Sequence, residues 1–149
     1  MNRLNNFQKM SRIGVIFLVL VAMGTAVAHK AHKGKSQPME TKHWMQGVMK
    51  PSSGALKTGL ASAPGDEEAW ELLAMHAAVM NESSYVLMAD GRCPDDVWSK
   101  ASTETLRNGS VSLISAIQSR NYNAAKAAFE AMAGSCKGCH EVHKPKDEE

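Results

Sequence analysis

Aromatic residues are scarce in this chain of 149 residues, which holds three Trp, two Tyr and three Phe. Six of them lie beyond residue 28: Trp44, Trp70, Tyr85, Trp98, Tyr122 and Phe129. One domain is expected at this length, and its core must therefore consist mainly of Ala, Leu, Met, Val and Ile. The sequence also lacks the strand-like alternation of apolar and polar residues, which favours an all-α fold.

An apolar run long enough to span a membrane is also missing. The longest such run, residues 13–28, has 16 residues, whereas a membrane helix needs roughly 20. A basic stretch without acidic residues precedes it, and it ends in Ala26-Val27-Ala28, which is typical of a cleavage site. We therefore expect residues 1–28 to be a cleaved signal peptide and the protein to be periplasmic. The alternative is an uncleaved membrane anchor.

Beyond this leader the sequence has no excess of positive charge. The whole chain has 17 Lys+Arg and 15 Asp+Glu, and residues 1–28 hold three of the basic residues and none of the acidic ones. The remainder therefore carries 14 basic and 15 acidic residues, a net charge of −1. A nucleic-acid-binding domain would show a clustered basic face. We expect no nucleic-acid partner and, once the leader is removed, no association with a membrane.

Cysteine is rare too, but two of the three cysteines form the pattern Cys136-Lys137-Gly138-Cys139-His140. Cys-x-x-Cys-His is the spacing of a c-type haem attachment site. Each thiol can form a thioether with one haem vinyl group, and the imidazole of His140 can bind the iron. The motif predicts one covalently attached haem c per chain. In bacteria this attachment takes place outside the cytoplasmic membrane, in agreement with the predicted export.

Two other interpretations of the cysteines are weaker. A zinc site would use Cys136, Cys139, His140 and His143, but four ligands on two turns of one straight helix can hardly surround a tetrahedral ion. A thioredoxin-like redox pair needs a βαβ context, which the helical pattern of this chain does not provide. Cys93 has no internal partner once the other two thiols hold haem, so it is either a free turn thiol or a link between two chains.

Polar and turn-forming segments divide the rest of the chain. The composition predicts that residues 29–38 form a flexible basic linker, that residues 39–144 form a helical domain and that residues 145–149 form an acidic tail. Four helices are expected in the domain: one from about 39 to 61 with a kink or break at Pro51, one from Asp66 to Gly91, one from Pro94 onward and one beginning within residues 121–123. Asn108-Gly109 can mark a break within the third helix.

Apolar residues repeat at spacings of three and four in these helices. The second helix carries Trp70, Leu73, Ala77, Met80, Ser84 and Leu87, widened by Leu72, Val79 and Val86, and the third carries Leu106, Ser110, Leu113, Ile114 and Ile117. In the first helix Trp44, Val48 and Ala55 can share one face; the fourth carries Tyr122, Ala125, Phe129, Met132, Cys136, Cys139 and His143. Because residues i, i+3 and i+4 face one side of a helix, the two thiols and His140 can point at one haem. The predicted fold is an antiparallel four-helix bundle with covalently bound haem c.

Residues 40–144 resemble the cytochrome c-prime family, the class II c-type cytochromes. The resemblance rests on a haem motif near the C-terminus of a four-helix chain. The ending Cys139-His140-Glu141-Val142-His143-Lys144 is similar to the family's His-x-x-aromatic-basic ending, and Met45-Gln46-Gly47-Val48-Met49-Lys50 is similar to its Arg-Gln-x-x-Met-Lys pattern in the first helix.

The resemblance implies that Met49 faces the distal side of the haem. In low-spin relatives a Met there is the sixth iron ligand and the protein transfers electrons. In five-coordinate members an apolar side chain there shields the iron, which binds gases such as NO or CO. Met45, one turn away, is the alternative ligand, and Lys144 retains a basic charge near the proximal imidazole.

The chain departs from the family pattern at two positions. Met45 stands where the family often has Arg, a partner for the haem propionates, which leaves Lys50 and Arg92 as candidates. His143 replaces an aromatic residue.

We predict a periplasmic mono-haem electron carrier that meets redox partner proteins and is not an enzyme, with a gas-binding cytochrome c-prime as the alternative. A peroxidase-like enzyme would need a distal acid–base residue, and the nearby His43 is turned from the Met49 face by about 120°. Family members are often dimers through the first helix, so a homodimer is possible by analogy.

Overall fold

The computed structural model describes residues 34–144, which form four helices and contain no strand. Helix α1 consists of Thr41–Trp44, a π-helical turn Met45–Met49 and Lys50–Gly59, and helix α2 is Glu67–Met88, followed by the 3₁₀ turn Ala89–Gly91. Helix α3 consists of Asp96–Lys100, a π-helical segment Ala101–Arg107 and Asn108–Gln118; helix α4 is Tyr122–His143. The prediction of an all-helical chain with four helices is confirmed. The predicted signal peptide, acidic tail and first half of the linker lie outside the described residues.

Three of the helices begin at a side chain that caps their free backbone N–H groups. The carboxylate of Asp66 accepts from the N–H of Ala69 at 2.8 Å, and the side chain of Asn121 accepts from Ala124 at the start of α4. Both starts agree with the prediction. Helix α3 begins after Asp95, two residues later than predicted from Pro94, because the Asp95 carboxylate accepts from the N–H of Trp98 at 3.0 Å. Such a cap contributes about 1 kcal/mol to helix stability.

The predicted irregularity at Pro51 takes the form of a π turn just before it. Pro51 lies within the first two residues of the α-helical segment that follows the turn, and the N–H of Lys50 donates to the carbonyl of Met45, five residues back. A proline clashes with the carbonyl four residues before it, here that of Gly47, which lies inside the π turn. The helix widens by one residue at this place and continues without a break.

The predicted core of α2 and α3 is confirmed. The predicted stripe of α2 from Trp70 to Leu87 is buried, and so are Leu106, Ser110, Leu113 and Ile117 of α3. Leu72 was wrongly assigned to the core and is 53% exposed. In α1 the buried face also differs from the prediction: Met49 and Leu56 are buried, whereas Trp44, Val48 and Ala55 are half-buried. The extra residue of the π turn shifts the helical register, which explains the difference.

Gly109 does not break α3; it allows α3 and α4 to approach each other closely. A Cβ atom at this position would lie 2.9 Å from Cβ and 3.1 Å from Cα of Met132 on α4. Real Cβ atoms essentially never come within 3.0 Å of another heavy atom. The prediction of a possible break at Asn108-Gly109 is therefore wrong, and the glycine serves packing instead.

At one end of the molecule, here called the motif end, the start of α1, the end of α2, the start of α3 and the end of α4 meet. Arg92, after α2, donates to the carbonyl of Met39, just before α1, at 3.1 Å. The ring nitrogen Nε2 of His143 lies 3.2 Å from the carboxylate of Asp95. Helix α4 packs extensively on α3 but has few contacts with α1. A cleft between α1 and α4 therefore opens at this end.

The opposite end, here called the far end, is closed by two contacts between helix termini. The hydroxyl of Tyr122, at the start of α4, donates to the carbonyl of Leu60, at the end of α1, at 3.3 Å. Arg120, between α3 and α4, forms an ion pair with Glu67 at the start of α2. Consecutive helices therefore run in opposite directions. Among residues 34–144 no helix has the length and apolar character that crossing a membrane requires.

Candidate cofactor site

The cleft at the motif end encloses a cavity of about 660 Å³. Its volume is within the range of about 300–1,000 Å³ that is usual for small-molecule and cofactor sites. Its apolar walls come from all four helices: Met45 and Met49 from α1, Met80 and Leu87 from α2, Trp98, Ala101 and Leu106 from α3, and the two motif cysteines from α4. Such a lining suits a large apolar ligand.

The three motif residues lie on the last turns of α4 and line this cavity together. Their spacing of three and four places them on one side of the helix. Cys136 and Cys139 are half-buried and free of disulfides. Burial, with smaller contributions from the charges of Asp95 and the neighbouring thiols, raises the pKa of Cys139 to about 11. This cysteine is therefore held as a thiol at neutral pH.

His140 is the motif residue with the donor atom for a metal. Partial burial, and then the nearby charge of Lys144, lower the pKa of its imidazole. A lowered pKa favours the neutral ring, which is the form that binds iron. Lys144 also lines the cavity, next to the end of α4. Its position is consistent with the predicted charge on the proximal side.

Met49 reaches the same cavity from the other wall. It is the last residue of the π turn in α1, it is only 7% exposed, and it lines the cavity together with Met45 one turn earlier. The fold therefore brings Met49 to the motif residues, which are far away in sequence. Single π turns are frequent at functional sites, where they redirect a side chain. His43 does not line the cavity and is exposed.

His143 fastens the end of α4 to the start of α3. Its Nε2 lies 3.2 Å from Oδ1 of Asp95, and its ring meets the edge of the Trp98 ring with centroids 5.3 Å apart. Trp98 in turn donates from Nε1 to the carbonyl of Leu87 at 2.8 Å. Sequence reasoning identified His143 as a departure from the family pattern but missed this contact. Asp95 gave a signal, since an Asp immediately before the first residues of a helix is a common cap.

Asp90 holds the chain segment that leads into α1. Asp90 is in the left-handed region, with φ 57°. Its carboxylate accepts from the N–H and the hydroxyl of Ser36 at 3.0 and 2.8 Å and from the N–H of Gln37 at 2.8 Å. The hydrogen bond from Gln37 and that from the Ser36 hydroxyl lower the pKa of this carboxyl group. The last part of the segment predicted as a flexible linker is therefore bound to the loop after α2.

Arg92 has a structural role in the same loop. It is 2% exposed, and its guanidinium donates to the side chain of Gln37 at 3.3 Å and to the carbonyl of Met39 at 3.1 Å. It does not line the cavity, so it does not fit the predicted role of a propionate partner, whereas Lys50 does line the cavity. Cys93 is half-buried outside the cavity lining, and its thiol contacts the carbonyl of Asp95 at 3.4 Å.

No group of three or more His, Cys, Asp or Glu side chains within residues 34–144 is arranged to hold a bare metal ion. A haem iron makes a smaller demand on the protein, because the porphyrin provides four nitrogen ligands and the chain needs to add one or two axial ones. The donors on the two cavity walls, an imidazole and a thioether, fit that demand. Comparisons of the chain with protein-family models, with curated proteins and with solved structures found no match.

Proposed function

We propose that this protein is a mono-haem c-type cytochrome of the cytochrome c-prime kind that transfers electrons in the periplasm. The proposal rests on the observation that one largely apolar cavity is lined by Met49, Cys136, Cys139 and His140. Sequence spacing alone pointed to haem attachment. The cavity adds a space of suitable size beside the motif and a soft potential ligand on the opposite wall.

Each of these residues has a distinct part in the proposed function. Cys136 and Cys139 would hold the haem through two thioethers, and His140 would supply a neutral imidazole to its iron. The haem, when bound, supplies one-electron chemistry between the ferric and ferrous states of its iron. The apolar walls would keep water away from an iron held in the cavity, and the open side of the cavity would give redox partner proteins access to the bound group. Met49 then determines whether the sixth iron position is filled.

A second candidate function depends on the same side chain. If the thioether of Met49 shields the iron without binding it, the sixth position stays available to a small gas such as NO or CO. The deep burial of Met49 is compatible with shielding, because a buried apolar side chain would keep other ligands away from an iron held in the cavity. The length and flexibility of a Met side chain favour ligation, since it can adjust to the iron without movement of the helix. We therefore rank electron transfer first.

Absorption spectroscopy of the protein matured with a c-type haem attachment system tests both functions. We expect a haem that stays with the chain after denaturation, and a low-spin ferric spectrum with a far-red sulfur-to-iron charge-transfer band. Replacement of both cysteines by Ala should abolish the covalent attachment. If the matured wild-type chain carries no haem, the proposal is wrong.

The variant Met49→Leu separates the two functions, and Met75→Leu on the exposed surface of α2 is its matched control. We expect Met49→Leu to convert the spectrum to high-spin and to let CO bind the ferrous iron, because Leu has no ligand atom. Met75→Leu should leave the spectrum unchanged. High-spin spectra of the wild-type protein in both oxidation states would favour gas binding instead, and an unchanged spectrum of Met49→Leu would reject Met49 as the ligand.

A further inference from the structure

The third cysteine of the chain lies at the motif end, although it is far from the motif in sequence. Cys93 follows the 3₁₀ turn after α2, and its thiol contacts the carbonyl of Asp95 at 3.4 Å. The carboxylate of Asp95 is in turn 3.2 Å from Nε2 of His143, on the last turn of α4. His143 comes four residues after Cys139, so the two are neighbours on one side of that helix. The contact between the start of α3 and the end of α4 therefore brings Cys93 close to the second motif cysteine.

Packing and charge agree with this closeness. Cys93 and Cys139 are both half-buried, and both pack against the same core cluster of buried residues. Burial is the main cause of the raised pKa of Cys139, and the charge of Cys93 is one of the smaller contributions to it. Both residues have free thiols in this structure. The fold thus brings a third thiol, from another part of the chain, to one of the two thiols that the proposed function uses.

The two motif cysteines are poorly placed to form a disulfide with each other. Cys136 and Cys139 both lie inside α4. Side chains three residues apart on a helix have Cβ atoms about 5–6 Å apart, whereas a disulfide needs a Cβ–Cβ distance of about 3.5–4.5 Å. A bond between them would therefore require the end of α4 to unwind. Cys93 lies in a short non-helical segment, residues 92–95, which can adjust to Cys139 while both helices stay intact.

We propose that Cys93 and Cys139 form a disulfide in the folded chain before haem is attached, and that this bond controls the attachment. Two S–H bonds break and one S–S bond forms, while two electrons pass to the disulfide of an oxidant such as oxidised glutathione. The oxidant takes up the two protons and becomes two thiols. The disulfide itself does not depend on the proposed function, but its consequence for haem does. While the bond exists, Cys139 cannot form a thioether, and a thiol reductant has to reopen it.

Oxidation of the full chain without haem by oxidised glutathione provides the test. Free thiols are alkylated in denaturant afterwards, and the tryptic peptides are identified by mass spectrometry. Trypsin cleaves after Arg92 and Lys137, so each of the three cysteines is found in a different peptide. We expect the peptide of Cys93 to be joined to that of Cys139, and Cys136 to be the alkylated residue.

Two serine variants are the matched controls. Cys136→Ser should form the same disulfide to the same extent as the wild-type chain, because Cys136 takes no part in it. Cys93→Ser should keep both motif thiols free after the same treatment, and circular dichroism checks that its helices are intact. A chain linked mainly between Cys136 and Cys139 would overturn the proposal. So would a dimer linked through Cys93, or thiols that carry only glutathione.

Haem attachment to the oxidised chain measures the consequence, with the haem that stays on the chain after denaturation as the readout. We expect the oxidised wild-type chain to attach no haem until a thiol reductant is added, and Cys93→Ser, treated in the same way, to attach haem without it. Attachment to the oxidised wild-type chain without the reductant would overturn the control by Cys93. If the disulfide forms but the reduced chain takes up no haem, the disulfide stands and the proposed function fails. If haem is attached but the disulfide never forms, the proposed function stands and this inference fails.

Discussion

The motif end and the far end of the molecule are built from the same four helices but are packed in opposite ways. At the far end the helices are regular α-helices, and their termini are joined by the Tyr122 hydrogen bond and the Arg120 ion pair. At the motif end α1 and α3 each contain a π-helical segment, and a cavity lies between them. The comparison shows that the helix termini are joined at the far end, whereas at the motif end regular packing gives way to a cavity.

Two leucines of α3 allow the strongest test of this comparison. Leu113 is 0% exposed in the well-packed part, and Leu106 is 3% exposed at the cavity wall. We expect Leu113→Ala to lower the free energy of unfolding by about 2–5 kcal/mol. Leu106→Ala should cost an amount near the lower end of that range in the haem-free chain, because it enlarges a space that already exists.

Denaturant unfolding of both variants, with and without attached haem, is the measurement. Attached haem should raise the cost of Leu106→Ala, since the porphyrin then packs on this side chain, and should change the cost of Leu113→Ala much less. Equal costs for the two variants in the haem-free chain would contradict the idea that the motif end is loosely packed.

Two helical glycines should give smaller changes in stability, and the two changes should have opposite signs. Gly109→Ala places a methyl group against the backbone of Met132 and should destabilise the fold by about 1–3 kcal/mol through overpacking. The gain in helix propensity, about 1 kcal/mol, offsets part of this cost. Gly54→Ala on α1 is the control, because nothing lies within 4 Å of the new methyl group. It should stabilise the fold by about 0.5–1 kcal/mol.

Thermal unfolding of the two glycine variants measures the difference. A melting temperature that falls for Gly109→Ala and rises for Gly54→Ala is the expected result. If both rise, the close contact between α3 and α4 at Gly109 does not exist in solution, and the contrast between a tight α3–α4 pair and an open α1–α4 cleft is lost.

The smallest expected effect concerns Asp95, which links the ends of α3 and α4. Asp95→Ala should cost about 1 kcal/mol from loss of the cap on Trp98, and Asp95→Asn should cost less because Asn also caps well. The hydrogen bond from the Trp98 backbone and then the neighbouring His143 lower the pKa of Asp95. The ionised carboxylate therefore stabilises the fold at pH values above its unfolded pKa, about 3.9.

This contribution is lost as the pH falls through the still lower pKa of the folded state. The stability difference between wild type and Asp95→Asn should consequently shrink as the pH falls below about 4. Unfolding curves at pH 7, 5 and 3 check this. A difference that does not shrink between pH 5 and pH 3 would show that the carboxylate does not act through its charge.

Much of the fold was predictable because it depends on local signals. The stripe of α2 follows from spacings of three and four, and the caps at Asp66 and Asn121 follow from side chains that bond within three residues. The Cys-x-x-Cys-His pattern is local as well, since its residues span little more than one helical turn. For these features the sequence near each residue contains the physical cause.

The features that escaped prediction depend on contacts between distant segments. Pro51 predicts an irregularity in α1, but not that the helix takes up a π turn there and so changes which face is buried. Gly109 looked like a weak point, because its reason is the Met132 backbone of another helix. The contacts of Asp90 with Ser36 and of His143 with Asp95 join residues about fifty positions apart. Pairings of this kind are decided by tertiary packing, which composition and periodicity do not reveal.

The π turn of α1 also changes the rotation of the first half of that helix relative to the second half. One additional residue rotates everything before it by about 100° relative to everything after it. Leu56 is therefore buried in the core while Met45 and Met49 line the cavity with their thioethers. Deleting one residue from the turn would leave every one of those side chains in the chain and point them elsewhere. Which side chains line the cavity opposite the motif is thus encoded in the winding of the backbone as much as in the choice of methionine.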